Sequence, residues 1–112
     1  MKSINKIMLL GNIGKEPELR KVGDISVVSF PMATSESYKN KAGEWQEVTE
    51  WHNIVGWREL ADSVEKNCNK GDTIYVEGKI KTRSWESSDG SKRYATEIII
   101  DNFILIKKKT AQ

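Results

Sequence analysis

Residues 73–85, TIYVEGKIKTRSW, alternate apolar and polar side chains along their whole length, with a glycine in the middle. Successive side chains of a strand point to opposite faces, so this pattern describes a strand with one buried and one exposed side. Ile74, Val76, Gly78 and Ile80 form the inward set. Tyr75, Glu77, Lys79, Lys81, Arg83 and Trp85 form the outward set. A glycine inside such a strand marks a sharp bend, as at a barrel corner. The chain is therefore expected to build a sheet that curves.

Residues 49–57, TEWHNIVGW, read as a second strand with two unlike faces. Trp51, Asn53, Val55 and Trp57 share one parity, and His52, Ile54 and Gly56 share the other. Two indoles on one side of a strand can form core. They can also form a platform on which flat, electron-rich ligands such as nucleobases stack.

The other elements follow from local signals. Residues 6–11 are a short apolar run stopped by glycine, which favours a buried strand. Pro17 marks a turn, residues 19–22 resume pairing, and Gly23-Asp24 turns the chain again. Residues 25–34 are β-branched, and Pro31 within them implies an edge position or a bulge. Residues 35–48 are polar and read as a long hairpin with its tip at Lys41-Ala42-Gly43-Glu44. Tyr38, Lys39, Lys41 and Trp45 decorate its arms like a flap that closes on a ligand.

A helix is expected over residues 58–70. Leu60, Ala61, Val64 and Cys68 make its apolar stripe, acids occupy its first turn, Lys66 and Lys70 its last, and Gly71 ends it. Asp89-Gly90 signals a hairpin, residues 94–101 return from it, and residues 102–106 continue as a further strand. Three strands, a helix and two more strands, with mid-strand glycines, fit an all-β fold with one short helix. That fold is a five-stranded Greek-key barrel of the oligonucleotide/oligosaccharide-binding (OB) type with a long hairpin. A two-layer α+β sandwich is the second choice. The domain spans residues 1–106, and residues 107–112 form a short, frayed basic tail.

Composition narrows the functions. With 112 residues the chain holds one domain. A net charge of +2 supplies no global field for polyanions, so any nucleic-acid binding needs a local patch plus stacking. One cysteine, Cys68, excludes an internal disulfide and a multi-cysteine zinc site, and suits a reducing compartment. Ile7-Met8-Leu9-Leu10 is too short for a signal or membrane segment. A cytoplasmic protein with no metal, cofactor or membrane contact is the expectation.

The outward row Lys79, Lys81, Arg83 and Trp85 is strongly cationic. Its cations repeat at ~6–7 Å, near the phosphate spacing of an extended single strand, although lysines also protect sheet edges. Tyr38, Trp51, Trp57 and Trp85 lie in four separate polar settings, unlike core aromatics. Stacking on each is worth about 1–3 kcal/mol per base and requires unpaired bases.

The residues Asn5-Lys6-Ile7, Leu10-Gly11-Asn12-Ile13-Gly14, Pro17-Glu18-Leu19-Arg20, Ala33-Thr34-Ser35-Glu36-Ser37, Thr49-Glu50-Trp51-His52 and Lys70-Gly71 form a collinear set. It continues through Tyr75-Val76-Glu77-Gly78-Lys79-Ile80-Lys81-Thr82-Arg83-Ser84-Trp85, Asp89-Gly90 and Tyr94-Ala95-Thr96-Glu97. The set resembles the bacterial single-stranded DNA-binding proteins over essentially the whole chain. The resemblance implies an OB fold, commonly a homotetramer and alternatively a dimer, that coats single-stranded DNA without catalysis.

It also implies roles. Tyr38, Trp51, Trp57 and Trp85 fall on the stacking positions, and Lys6, Lys70, Lys81 and Arg83 on DNA-contacting cations. His52 and Tyr75 fall at a subunit interface. Lys39 and Lys79 are further phosphate candidates by position, and Arg58 by standing in for a cation missing at Asn53. Trp45 matches no family position. The Lys107-Lys108-Lys109 run is unlike the acidic, Phe-ending tip with which family members recruit replication and repair proteins, so such recruitment is not expected from these residues. An OB module for RNA or a protein partner is an alternative. An OB nuclease is the weakest, because its carboxylates are scattered.

Overall fold

The computed structural model describes residues 1–110. In chain order it contains β1 (Ile7–Ile13), β2 (Glu18–Val22), β3 (Ile25–Lys39), β4 (Trp45–Trp57), α1 (Glu59–Asn67), β5 (Thr73–Glu86) and β6 (Lys92–Lys107). The strands run in the order β1-β5-β6-β4-β3-β2, and β1 also pairs with β3. That last pairing, Asn12 with Ala33 and Ile13 with Met32, closes a five-stranded barrel, with β2 carried alongside β3. The expected OB architecture is present; the α+β sandwich is not.

Inside the barrel, Val28, Met32, Ile54, Ile74 and Val76 are sealed from solvent. Each such side chain contributes about 1.5–3 kcal/mol of burial. Helix α1 plugs one end with Ala61, Val64 and the adjoining Cys68, as its apolar stripe requires. The bend at Gly78 is real. Its Cβ, if present, would stand 2.7 Å from Ile100 Cα, and the β5–β6 register skips Asp101 at this point. Beyond the bend β5 leaves the barrel, so Ile80, expected inside, is 46% exposed. Alternation identifies a face; it does not identify where a strand outruns its core.

Other expectations are corrected. The helix is shorter than residues 58–70, because the chain is already extended at Cys68. Lys70 and Gly71 belong to the turn that follows, where Gly71 has φ +92°. Pro31 sits neither at an edge nor at a bulge. It pairs in register with Asn53 of β4, and on its other side β3 changes partner from β2 to β1 there, so no ladder needs its missing N–H. The two segments expected after the Asp89-Gly90 turn are one strand, β6, bulged at Asp101.

The basic tail is not frayed where it begins. Lys107 ends β6, and Lys108 Nζ and the Lys109 N–H both reach the carboxylate of Asp72, at 2.9 Å each. Asp72 is 1% exposed and also accepts the Asn69 N–H at 2.8 Å. Ala111 and Gln112, the rest of that expected tail, lie outside the described residues.

Arg58, between β4 and α1, has φ +65° and ψ −133°, a region that favours glycine. Its N–H donates to Ser26 O at 2.8 Å, which holds it there. Such a conformation costs on the order of 1–3 kcal/mol. Arg58→Gly is accordingly expected to raise stability by about 1 kcal/mol in urea unfolding. A destabilised variant would contradict the strain.

Asp72→Ala is expected to lose about 1–3 kcal/mol, since it takes the acceptor from the Asn69 and Lys109 N–H groups and from the Lys108 ammonium at once. Burial pushes the Asp72 pKa up, but the Lys109 N–H, the Lys108 ammonium and the Asn69 N–H outweigh it and hold the carboxyl below its ordinary value. This contribution is complete above the unfolded-state pKa of ~3.9 and fades as pH falls through the lower folded value. Urea midpoints measured between neutral and acidic pH should fall in the wild type with a component that Asp72→Asn lacks.

Candidate nucleic-acid interface

β4 turns its indoles away from the core. Ile54 and Gly56 face inward, which sends the opposite parity outward. Trp51 is 61% exposed and Trp57 40%. Six residues along a strand separate them by ~20 Å. Trp51 lies over the turn that follows β1. A Cβ on Gly14 would come within 2.8 Å of Trp51 Cη2, so glycine is what lets the ring settle there. Gly14, Lys15, Pro31 and Trp51 line a shallow recess of about 220 Å³.

Two adjoining clefts run past the outer face of β3 and β4, with volumes of about 670 Å³ and 720 Å³. They share Ser29, Val55, Arg83 and Glu97, so they form one continuous groove. One end holds Lys15, Glu16, Glu18 and Asn53; the other holds Arg20, Trp57, Lys79 and Lys81. Lys15, Arg20, Lys79, Lys81 and Arg83 face Glu16, Glu18 and Glu97, a modest excess of positive charge.

Arg83 occupies the centre. Its Nε lies 3.2 Å from Glu97 Oε2, and its guanidinium lies 4.7 Å from the centroid of the Trp85 ring. It therefore sits between a carboxylate and an indole face, a combined ionic and cation–π contact. Trp85 itself is 42% exposed. It stands near the end of the β5–β6 hairpin, opposite Arg93. The hairpin turn is fixed by Asp89, which accepts the hydroxyls of Ser87 and Ser91 and the Ser91 N–H. These donors hold the Asp89 pKa down to about 2.

Such a groove offers flat π faces with cations between them, and no enclosed reaction chamber. Bases laid on Trp51, Trp57 and Trp85 would bring their phosphates within reach of the lysines. No group of three or more His, Cys, Asp or Glu side chains that could hold a metal ion occurs among the described residues.

Residues 4–106 match the Single-strand binding protein family. The chain belongs to that family. It is 44% identical over 110 residues to "Single-stranded DNA-binding protein 1" of Chlorobaculum tepidum, covering 96% of this chain and 68% of that one. It is likewise 44% identical over 112 residues to "Single-stranded DNA-binding protein" of Bacteroides thetaiotaomicron, covering 97% of this chain and 70% of that one. Among solved structures, "Plasmodium falciparum SSB complex with ssDNA" superposes with a TM-score of 0.85 at 35% identity, covering 96% of this chain and 98% of that chain.

Within this single-strand binding protein fold, the residues singled out from the sequence do not all meet. Trp57, Lys79, Lys81 and Arg83 share the groove, Trp51 sits at its Lys15 end and Trp85 beside Arg83. Tyr38 and Lys39 stand out on the β3–β4 hairpin, where Tyr38 pairs with Gln46 on the side opposite to Trp51. Arg58 lines a separate recess with Lys21, Asp24, Glu59 and Asp62, so it does not replace the cation missing at Asn53 within the groove.

Lys6 lies 3.8 Å from Glu77, neither of them lining the groove, and Lys70 lies in the turn held by Glu16. Glu16 accepts the Asn69 amide and the Lys70 N–H, which lower its pKa. His52 Nε2 bonds the Thr34 hydroxyl at 2.8 Å, and the Tyr75 hydroxyl donates to Glu77 at 2.6 Å. That bond holds the Glu77 pKa down and raises that of Tyr75.

Sequence reasoning missed Lys15 and Arg20, which reach the groove from a turn and from β2. It also left aside Tyr94, 66% exposed opposite Ser84. The test applied to Trp85, an aromatic among polar neighbours, would have found Tyr94 in Lys92-Arg93-Tyr94-Ala95.

The Arg83–Glu97 pair is open to solvent on the arginine side, with side-chain exposures of 56% and 20%. Pairs of this kind contribute at most about 1 kcal/mol. Glu97→Gln is therefore expected to leave the urea midpoint almost unchanged; a loss of several kcal/mol would make the pair structural.

Proposed function

We propose that this chain binds and protects single-stranded DNA with little regard to sequence during replication, recombination and repair, as a coat protein and not as an enzyme. One observation carries the reading: three exposed indoles, Trp51, Trp57 and Trp85, border a groove that also displays Lys79, Lys81 and Arg83. The names of the relatives, and the single-stranded DNA held by the similar Plasmodium falciparum complex, support the choice of ligand. Duplex DNA hides its base faces, so this groove has nothing to grip on a duplex beyond phosphate charge. Trp51, Trp57, Trp85 and, from the hairpin, Tyr38 stack bases in this reading. Lys79, Lys81 and Arg83 contact phosphates along the groove, with Lys6, Lys39, Arg58 and Lys70 as outlying contacts.

The coat self-associates, as a tetramer or a dimer. Between Ile7 and Leu10, β1 pairs only with β5, which leaves its other edge free among the described residues. Beside that edge, Met8, Leu10, Ile104 and Ile106 are each more than half exposed. A second copy of the same strand and face would satisfy both the edge and the apolar surface. Tyr75 lies on this face opposite Leu10 and Ile104, and His52 bonds Thr34 next to Gly11 of β1. Both suit an interface role. No helix among the described residues is long and apolar enough to cross a membrane. The working location is the cytoplasm, on the nucleoid.

Anisotropy of labelled oligo-dT tests the reading, with duplex and oligo-rU as comparisons and sedimentation of the free protein alongside. Tight oligo-dT binding, weak duplex binding and an assembly of two or four chains are expected. Equal affinity for oligo-rU would move the assignment to an RNA module, and duplex preference would end it.

Glu97 competes with phosphate for Arg83. Glu97→Gln should therefore tighten oligo-dT binding several-fold and steepen its salt dependence, by roughly 0.7 in slope for one added phosphate contact. Lys81→Ala should flatten the slope by a similar amount.

A further inference from the structure

Trp45 has no role in the groove, yet it is 69% exposed, more than any other tryptophan of the chain. Its place in the register is informative. β3 and β4 pair without interruption from Val27–Trp57 out to Lys39–Trp45. Trp45, Trp51 and Trp57 occupy every sixth residue of β4 and so fall on one parity. We propose that Trp45 is a further stacking platform for single-stranded DNA, extending the path of the strand from Trp51 out along the β3–β4 hairpin. The inference rests on the single-stranded DNA reading above and deepens it.

Two observations separate this from a purely structural Trp45. First, the hairpin is closed without the indole. The Asn40 side chain accepts the N–H groups of Ala42 and Glu44, the Asn40 N–H donates to Glu44 O, and the Gly43 N–H donates to Asn40 O. Further down, the hydroxyls of Ser35 and Thr49 meet at 3.1 Å across the same face. Second, most of the residue stays open to solvent. Its cross-strand partner is Lys39, whose ammonium lies 5.7 Å from the ring centroid. One cation near an otherwise open indole leaves ring surface on which a base can lie.

Charge sets what the hairpin can contribute. Lys39 and Lys41 are offset by Glu36, Glu44 and Glu47, so the arm has no excess of cations. Its net pull on phosphate is therefore small even with Lys39 as an outlying contact, and stacking is the main interaction left to it. The ~20 Å between successive indoles corresponds to about three nucleotides of extended strand. Trp45 should then add length to the occupied site without adding to the salt dependence.

The experiment titrates wild type, Trp45→Ala and Trp45→Phe with oligo-dT of increasing length, at two salt concentrations, with thermal midpoints as a control on folding. Trp45→Ala is expected to bind short oligomers like wild type and long ones about tenfold more weakly. Its occluded length should be shorter by about three nucleotides per hairpin engaged, its salt slope unchanged, and Trp45→Phe should restore most of the loss.

Equal binding at every length overturns the proposal and leaves Trp45 as a partner for Lys39. A loss that is the same for short and long oligomers, or that changes the salt slope, also overturns it, because the substitution then acts through the groove. Wild type that fails to bind oligo-dT at any length overturns the parent reading instead, and this inference with it.

Discussion

Everything at the binding face depends on which side of β4 the barrel takes. Ile54 is sealed inside and pairs in register with Phe30 of β3 and, in parallel, with Ile98 of β6. Three strands thus fix one residue, and strand geometry then fixes its neighbours. With Ile54 inward, Trp51 and Trp57 have to face out. A slip of one residue would reverse every side chain of the strand, burying two indoles and exposing the apolar set. Such a slip is strongly opposed, because it would expose Ile54 together with Gly56, against which Val28 and Ile100 pack. The platform is a by-product of a well-specified core.

The groove beside that platform is electrostatically moderate. Its cations are opposed by three carboxylates, and the central one, Glu97, already holds Arg83. With a net charge of +2 there is little long-range attraction to a polyanion. Screening beyond ~8 Å at physiological salt removes most of what remains. In the proposed reading, affinity for a single strand comes from contact, with bases on the rings and phosphates exchanging places with Glu97. That arrangement would discriminate by strandedness, since the same contacts are closed to a paired base.

Much of this was legible in the sequence, and for identifiable reasons. Alternation placed β5, a mid-strand glycine placed the bend at Gly78, and Asp89-Gly90 placed a hairpin. Aromatics in polar company marked Trp51, Trp57 and Trp85. What failed were properties that depend on where elements stop. Ile80 kept the inward parity but lies beyond the end of the core. The helix pattern ran on to Lys70, while Asp72 takes the Asn69 N–H and the lysines after β6, forcing the chain to turn early. Pro31 read as an edge residue because a one-dimensional pattern cannot show a strand exchanging partners. Lys15 and Arg20 were invisible as groove residues, since only the closed barrel carries them beside Arg83.

Tryptophan emission, followed while oligo-dT is added, tests the central claim most directly. Bases lying on Trp51, Trp57 and Trp85 should quench the emission strongly and in proportion to occupancy, and a duplex of the same length should not. DNA that binds fully, by an independent measure, while the emission stays at its free value would show that the exposed indoles do not carry the interaction.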